Sequence, residues 1–213
     1  FRINSLRGRT EDVAAELTQA GFDLLPLAWN TDAFSVPDDQ RRALTKSAAS
    51  AEGRIYIQNP SSMIPPLALD PQPGEEVLDL AAAPGGKTLQ LASNGAKVTA
   101  VDKSGARMER VSENLLRAKL TANIVEEDAL RFRPAEKADA ILLDAPCTAT
   151  GTIRRHPDIP WSKGETALAA LAELQGKMLD HAVKNLLKPG GLLVYCVCSL
   201  QREEGEAQAK AAL

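Results

Sequence analysis

After Gly74 short apolar runs alternate with helical segments, and this alternation constrains the fold more than any other feature of the chain. Residues 77–80 read as a strand, 86–92 as a helix, 97–101 as a strand ending in Asp102, and 104–119 as a helix with Ser104 as its N-cap. Residues 122–125 and 138–143 give two further strands, the second ending in Asp144. A long helix follows over 165–187, with Leu168, Leu171, Leu174, Leu179, Val183 and Leu186 near one face; Gly190-Gly191 ends it and 192–197 is a fifth strand. Strands separated by helices require crossover connections. The expected fold is therefore α/β, a parallel sheet with right-handed crossovers and helices on both faces. Ligands in such sheets bind at the carboxyl ends of the strands, near the point where strand order reverses.

The first part of the chain differs. Residues 1–58 read as a small α/β module: a strand at 2–4, a helix opening at Thr10 with Val13, Leu17 and Ala20 and stopped by Gly21, a poorly periodic polar stretch over 30–53, and a strand at 55–57. Pro60, Pro65, Pro66, Pro71 and Pro73 then mark a rigid connector, so the second domain is expected to span 59–213. The chain opens on Phe1 and closes on a helix cut short, so it is expected to be a fragment, with an incomplete module and a truncated sheet.

Composition sets outer limits. With 44% apolar and 25% charged residues among 213, the chain is globular rather than disordered. No apolar run approaches the ~18 residues that span a bilayer, so no membrane partner is expected. Three cysteines, too few and odd in number for a disulfide scaffold, point to a reducing, cytoplasmic setting. A net charge of −3 argues against bulk-charge binding of nucleic acid.

Two places carry chemistry. In the first, Asp79-Leu80-Ala81-Ala82-Ala83-Pro84-Gly85-Gly86-Lys87-Thr88 leaves the first strand and opens a helix. Small residues let the backbone approach a ligand, and a helix N-terminus offers unpaired N–H groups. Asp102 at the next strand end can accept ribose hydroxyl hydrogens, and Asp128, past the third strand, can meet an adenine amino group. This favours a nucleoside-type cofactor. Two other readings stand beside it: a phosphate-binding loop, if Ala81 replaces its first glycine, and a structural turn with surface aspartates. In the second place, Cys147 follows the strand ending at Asp144, and Cys198 follows Cys196 at the end of the fifth strand. Neighbouring strands would bring Cys147 and Cys198 to one cleft. Cys-x-Cys with one distant Cys, and His156 and His181 at unsuitable spacing, gives no zinc site, so no metal is expected.

Taken in order, DLAAAPGGKT (79–88), VDKS (101–104), DAPCTATG (144–151), RRHPDIPW (154–161) and YCVCSL (195–200) resemble the motif series of the Sun/RsmB-type (Fmu-like) RNA (cytosine-5) methyltransferases, and YIQNPSSM (56–63) is similar to that family's entry motif. The likeness covers about 55–206. It implies a class I, Rossmann-like methyltransferase fold that binds S-adenosylmethionine. Ala81, Ala82, Ala83, Pro84, Gly85, Gly86 and Lys87 would line the methionine end, Asp102 the ribose and Asp128 the adenine. Asp144 would lie between cofactor and target base, with Lys87 reaching the base. Cys198 would be the nucleophile and Cys147 the cysteine that assists product release. Thr148 stands where serine is commoner, and Cys196-Val197 where a hydroxyl pair is.

The implied partner is RNA, ribosomal RNA first and transfer RNA second, bound by a monomer. Arg154, Arg155 and Trp161 are the candidate RNA contacts, as phosphate clamps and a stacking surface. The loop 147–163 carries Arg154, Arg155 and Lys163 against Asp158, a local positive balance within an acidic chain. Two other readings remain: a methyltransferase on another acceptor, for which paired cysteines have no use, and an inactive RNA-binding scaffold.

Overall fold

A computed structural model of the chain describes residues 1–162 and 164–213; Lys163, counted above with the basic loop, lies outside the described residues. The first 56 residues contain β1 (Arg2–Ile3), α1 (Thr10–Gln19), β2 (Leu25–Leu27), β3 (Asn30–Ser35), α2 (Arg41–Thr45), α3 (Ala48–Ala51) and β4 (Ile55–Tyr56). The strands form an antiparallel sheet in the order β2-β3-β1-β4. The stretch expected to be irregular thus holds a strand and two short helices. Only Ala33 of β3 is fully buried, so the strand shows no alternation to read.

The proline-rich segment is mostly helix: α4 spans Pro60–Leu69. Asn59 caps it, its side chain accepting from the Ser61 N–H at 3.0 Å, and Pro60 takes the first helical position, where no donor is needed. Pro66 has no N–H for the Ser62 carbonyl, and Gln58 Nε2 supplies one at 3.0 Å. A side chain from outside the helix replaces the missing donor, which local sequence could not reveal.

Beyond it lie β5 (Glu76–Leu80), α5 (Gly86–Ser93), β6 (Lys97–Asp102), α6 (Gly105–Ala118), β7 (Asn123–Glu126), β8 (Ala138–Asp144), α7 (Ile159–Ser162), α8 (Glu165–His181), β9 (Leu187–Cys196) and α9 (Glu206–Ala212). The sheet is fully parallel in the order β7-β6-β5-β8-β9, and its order reverses between β5 and β8. Val77, Ala140 and Leu142 pack to one face with α5 and α6, and Leu78, Leu80, Ile141 and Leu143 to the other with Met178, Leu179 and Leu186. Burial on both faces is why these strands read as continuous apolar runs.

Three local expectations change. Ser104 stands at the N-cap of α6, but its side chain makes no capping bond; its N–H is held by Asp102 Oδ1 at 3.0 Å instead. The helix expected to reach 187 gives way to a wider turn at Ala182–Leu186, and β9 starts at Leu187. Lys188 to Gly191 bulge opposite Asp139, where Lys188 Nζ bonds Oδ1 at 2.6 Å, before regular pairing resumes at Ala140 with Leu192. On α8 and its extension, Val183 is exposed while Gln175 is fully buried.

The small sheet is tied to the large one through α5 and α6. Asn4 Nδ2 donates to the carbonyls of Gly53 (3.2 Å) and Ala118 (3.0 Å), and Arg117 Nη1 donates to Ser50 O (2.7 Å). The buried Arg2 guanidinium bonds Gln58 Oε1 and Ser93 Oγ, and Arg2 and Arg117 both lie over the Tyr56 ring. Burial lowers the Arg2 pKa to about 10.

Candidate functional site

At the end of β5 the backbone turns sharply. Ala81 has φ +62° and Gly85 φ +96°, with a cis Ala83–Pro84 bond between them. A Cβ on Gly85 would lie 3.1 Å from Val111 Cγ1, so this position needs glycine for both conformation and close helix packing. The turn separates two cavities. One, of about 170 Å³, is lined by Asp79, Ala81, Ala82, Ala83, Pro84, Gly86, Lys87 and Asp144, with Tyr56, Ile57, Gln58 and Ser62 opposite. The other, of about 100 Å³, is lined by Ala81, Asp102, Arg107, Asp128, Ala129, Pro146, Leu174 and Met178, among others. Ala81 borders both. Of the residues expected at a cofactor site, Ala81, Ala82, Ala83, Pro84, Gly86, Lys87, Asp102, Asp128 and Asp144 line these adjoining cavities, whereas Gly85 lines neither and packs against Val111 of α6.

Asp79 is fully buried. Its Oδ2 accepts from the Thr88 hydroxyl at 2.6 Å, and its Oδ1 has no hydrogen-bond partner. Burial pushes its carboxyl up to about 7, against the Thr88 bond and the positive field of Lys87. The folded chain then holds a proton that the unfolded chain releases near pH 4. That contribution to stability is full below about pH 4 and is lost as pH rises towards 7. Thermal melting between pH 5 and 8 should show this decline, and Asp79→Asn should flatten it. An equal slope in both proteins would remove Asp79 as its source.

Lys87 Nζ donates to Asp144 Oδ2 at 2.6 Å. Burial works against the ammonium, but Asp144 outweighs it and the Lys87 pKa is raised. Lysine and threonine of the would-be phosphate loop are thus both committed to carboxylates, Lys87 to Asp144 and Thr88 to Asp79, and neither is left to hold a triphosphate. Asp102, also buried, accepts from the N–H groups of Ala83 (3.2 Å) and Ser104 (3.0 Å), while Arg107 bonds the Ala83 carbonyl.

The cysteines lie beside this site. β8 and β9 are neighbours, with Asp144 opposite Cys196. Two further bonds continue the pairing past the sheet: Ala145 N–H to Cys196 O and Gly151 N–H to Cys198 O, both 3.0 Å. Cys147 and Cys198, 51 positions apart, thereby bring their sulfurs within 3.4 Å. Cys147 is buried and Cys198 exposed. Either sulfur can donate in this contact; with Cys147 as the donor, the bond lowers the Cys198 pKa to about 7 despite partial burial and the Asp144 charge. Cys147, the donor, is raised by that bond and by burial. Cys196 turns towards Asp144, its Sγ 3.5 Å from Oδ1, and burial raises its pKa. The two residues of the Cys-x-Cys therefore make different contacts, because β9 ends at Cys196 and its alternation does not extend to Cys198.

Of the candidate RNA contacts, Arg154 and Arg155 line a groove of about 480 Å³ with Phe34, Arg41, Ile57 and Gln58 of the opposing module. Ile57 and Gln58 also border the larger cofactor-side cavity, so the two spaces adjoin. Trp161, on α7, is 90% exposed and outside that groove.

Four side chains at these cavities escaped the sequence. Tyr56 and Gln58 belonged to a motif but had no assigned position, Arg107 had no assigned role, and Asp79 read as the start of a motif. An acidic residue inside an apolar strand, as in Val77-Leu78-Asp79-Leu80, is the signal that could have singled out Asp79.

Comparison with known proteins is consistent with this geometry. Residues 66–213 match the family described as 16S rRNA methyltransferase RsmB/F. Ribosomal RNA small subunit methyltransferase B of Vibrio cholerae is 42% identical over the whole of this chain and half of its own length; its namesake in Serratia proteamaculans is 40% identical with the same coverage. The chain thus spans about half the length of these curated relatives. A methyltransferase homolog protein from Pyrococcus horikoshii superposes with a TM-score of 0.86 at 35% identity, over 99% of this chain and 68% of its own.

Proposed function

Because the chain belongs to the 16S rRNA methyltransferase RsmB/F family, we propose that it is the catalytic part of an enzyme that methylates cytosine C5 in small-subunit ribosomal RNA through a covalent cysteine adduct. The observation that carries this reading is the Cys147–Cys198 pair: two sulfurs at 3.4 Å, one with its pKa lowered to about 7, beside the Lys87–Asp144 ion pair.

The adjoining cavities suit S-adenosylmethionine. Asp79 lines the larger cavity with its Oδ1 buried and without a partner, and can accept from the methionine ammonium; Asp102 can take the ribose hydroxyls and Asp128 the adenine amine against Ala129, Pro146 and Met178. When bound, this cofactor supplies an electrophilic methyl group on a sulfonium.

Cytosine C5 is a poor nucleophile, and the chain's residues remedy that. A bond donated by Cys147 favours the Cys198 thiolate, the form that attacks. Its addition at C6 makes C5 the nucleophilic carbon of an enamine. Lys87 and Asp144 bond the base edge and stabilise charge that develops on the ring. After methylation solvent water takes the C5 proton, the C5–H electron pair forms the C5–C6 double bond, and the C6–S pair leaves on Cys198 as thiolate, which the adjacent Cys147 thiol stabilises by hydrogen bonding. The base must be unstacked to enter, and Arg154, Arg155 and Arg41 hold the flanking phosphates. Ribosomal RNA is the first candidate and transfer RNA the second. Chemistry that needs reduced thiols suits the cytoplasm, and among the described residues no helix is long and apolar enough to cross a membrane.

The test uses the full-length protein with small-subunit ribosomal RNA and methyl-labelled cofactor, followed by digestion to nucleosides. The label is expected in 5-methylcytidine. Label in any other nucleoside would overturn the C5 assignment.

A further inference from the structure

Past β9 the polar run 201–206 carries one carboxylate with no solvent exposure, Glu204. Its Oε1 accepts from the Thr148 N–H at 2.8 Å and from Gln175 Nε2 at 3.1 Å, and its Oε2 accepts from the Thr148 hydroxyl. The Glu204 carbonyl takes the Tyr195 hydroxyl at 2.5 Å. These partners are the neighbours of the reacting sulfurs. Thr148 follows Cys147, and Gln175 Nε2 also donates to the Pro146 carbonyl just before it, at 2.8 Å. Ser199 follows Cys198, and its Oγ lies 3.1 Å from both Thr148 Oγ1 and Thr150 Oγ1.

A carboxylate buried without a cation is costly unless donors satisfy it. Burial would raise the Glu204 pKa, but bonds from Ser199, Thr148 and Gln175 hold it below the usual range. The charged acceptor thus orders donors from three places: the Cys147 loop, the Cys198 loop and α8. Neither cysteine loop is part of the sheet, so the sheet alone does not set the 3.4 Å between the sulfurs.

We propose that Glu204 is a positioning residue: by gripping both hydrogen-bond donors of Thr148 it fixes Cys147 against Cys198. This rests on reading the two cysteines as the working pair. Through this grip the Cys147 thiol stays aimed at Cys198, which keeps Cys198 reactive and places Cys147 to assist product release.

Glu204→Gln in the full-length protein tests it. In one orientation the carboxamide turns its NH2 against Thr148 N–H and Gln175 Nε2, donor facing donor; in the other it faces Thr148 Oγ1, whose hydroxyl must turn away and accept; the negative charge that orders the donors is lost in both. Three readouts are taken beside the melting temperature. Diamide oxidises the two thiols to a Cys147–Cys198 disulfide, taking up two electrons and two protons as it becomes the hydrazine; its rate reports how often the sulfurs meet. Iodoacetamide labelling of Cys198 against pH reports its ionisation. RNA turnover is split into kcat and KM. In Glu204→Gln the disulfide is expected to form about 10-fold or more slowly, the labelling midpoint to rise from about 7, and kcat to fall with KM for RNA unchanged. Thr148→Val should reproduce this, Thr148→Ser should restore wild-type values, and the double variant should be no worse than either single one. Unchanged disulfide rate and labelling midpoint, with only a lower melting temperature, would overturn the proposal. If Glu204→Gln does not fold, Thr148→Val carries the same test. If wild-type protein forms the disulfide rapidly and Glu204→Gln does not, yet neither methylates RNA, positioning stands and the proposed reaction fails.

Discussion

Cys198→Ala is expected to lower methyl transfer to cytosine by on the order of 10^4-fold or more, because without the sulfur C5 never becomes nucleophilic. Binding of RNA and cofactor should change little, since Cys198 is exposed and lies past the end of β9. Cys147→Ala should behave differently. Its partner can still attack, so methyl is transferred once, and then the enzyme stalls with RNA bound covalently through Cys198. A gel-shifted, denaturation-resistant adduct should accumulate in Cys147→Ala and be absent from Cys198→Ala and from the double variant. Loss of the Cys147 donor should also raise the Cys198 pKa from about 7, so the adduct should form faster as pH increases. Full activity in Cys198→Ala would sink the nucleophile assignment. Prompt, adduct-free turnover in Cys147→Ala would remove its part in release.

The largest loss of stability is expected at a position far from the sulfurs. Gly53 has φ +68°, and a Cβ there would lie 2.1 Å from the Arg117 carbonyl and 2.6 Å from Ala118 Cα. Both obstacles are backbone of α6, so no side-chain rotation relieves them. Gly53→Ala combines a left-handed conformation with overpacking, about 2–5 kcal/mol together, and should lower the melting temperature by roughly 5–15 °C. Gly74 separates the two effects, since at φ +88° an added Cβ would meet nothing within 4 Å. Gly74→Ala should cost only the conformational share, about 1–2 kcal/mol. Equal losses at the two positions would show that the approach of Gly53 to α6 is not what matters.

The parallel sheet was legible because its strands are buried on both faces: 77–80 and 138–143 are nearly unbroken apolar runs, and Asp102 and Asp144 mark where two strands end. The cysteine site was legible as two motifs in one order, although nothing local says that Cys147 and Cys198 meet. Their contact depends on β8 and β9 being adjacent. Three features were hidden for a common reason, that a distant partner decides them. A helix over Pro60–Leu69 contradicts local propensity and is repaired by Gln58. Glu204 sits in a run, Gln201-Arg202-Glu203-Glu204, that reads as solvated surface, yet Thr148 and Gln175 enclose it. β2 has three residues and β3 buries only Ala33, so neither shows a period, and their pairing with each other and with β1 decides them.

The larger cofactor-side cavity has walls of two origins. Lys87, Asp79 and Asp144 come from the parallel sheet, whereas Tyr56, Ile57 and Gln58 come from the end of the small one. Tyr56 and Gln58 are in turn gripped by Arg2, near the start of the chain. A ligand that fills this cavity touches both parts and stabilises their association by mass action. Docking of the two parts strengthens ligand binding to the same extent, because linkage is reciprocal. The small sheet is thus energetically a portion of the binding site, and a cut near residue 58 would separate one wall of the cavity from the other.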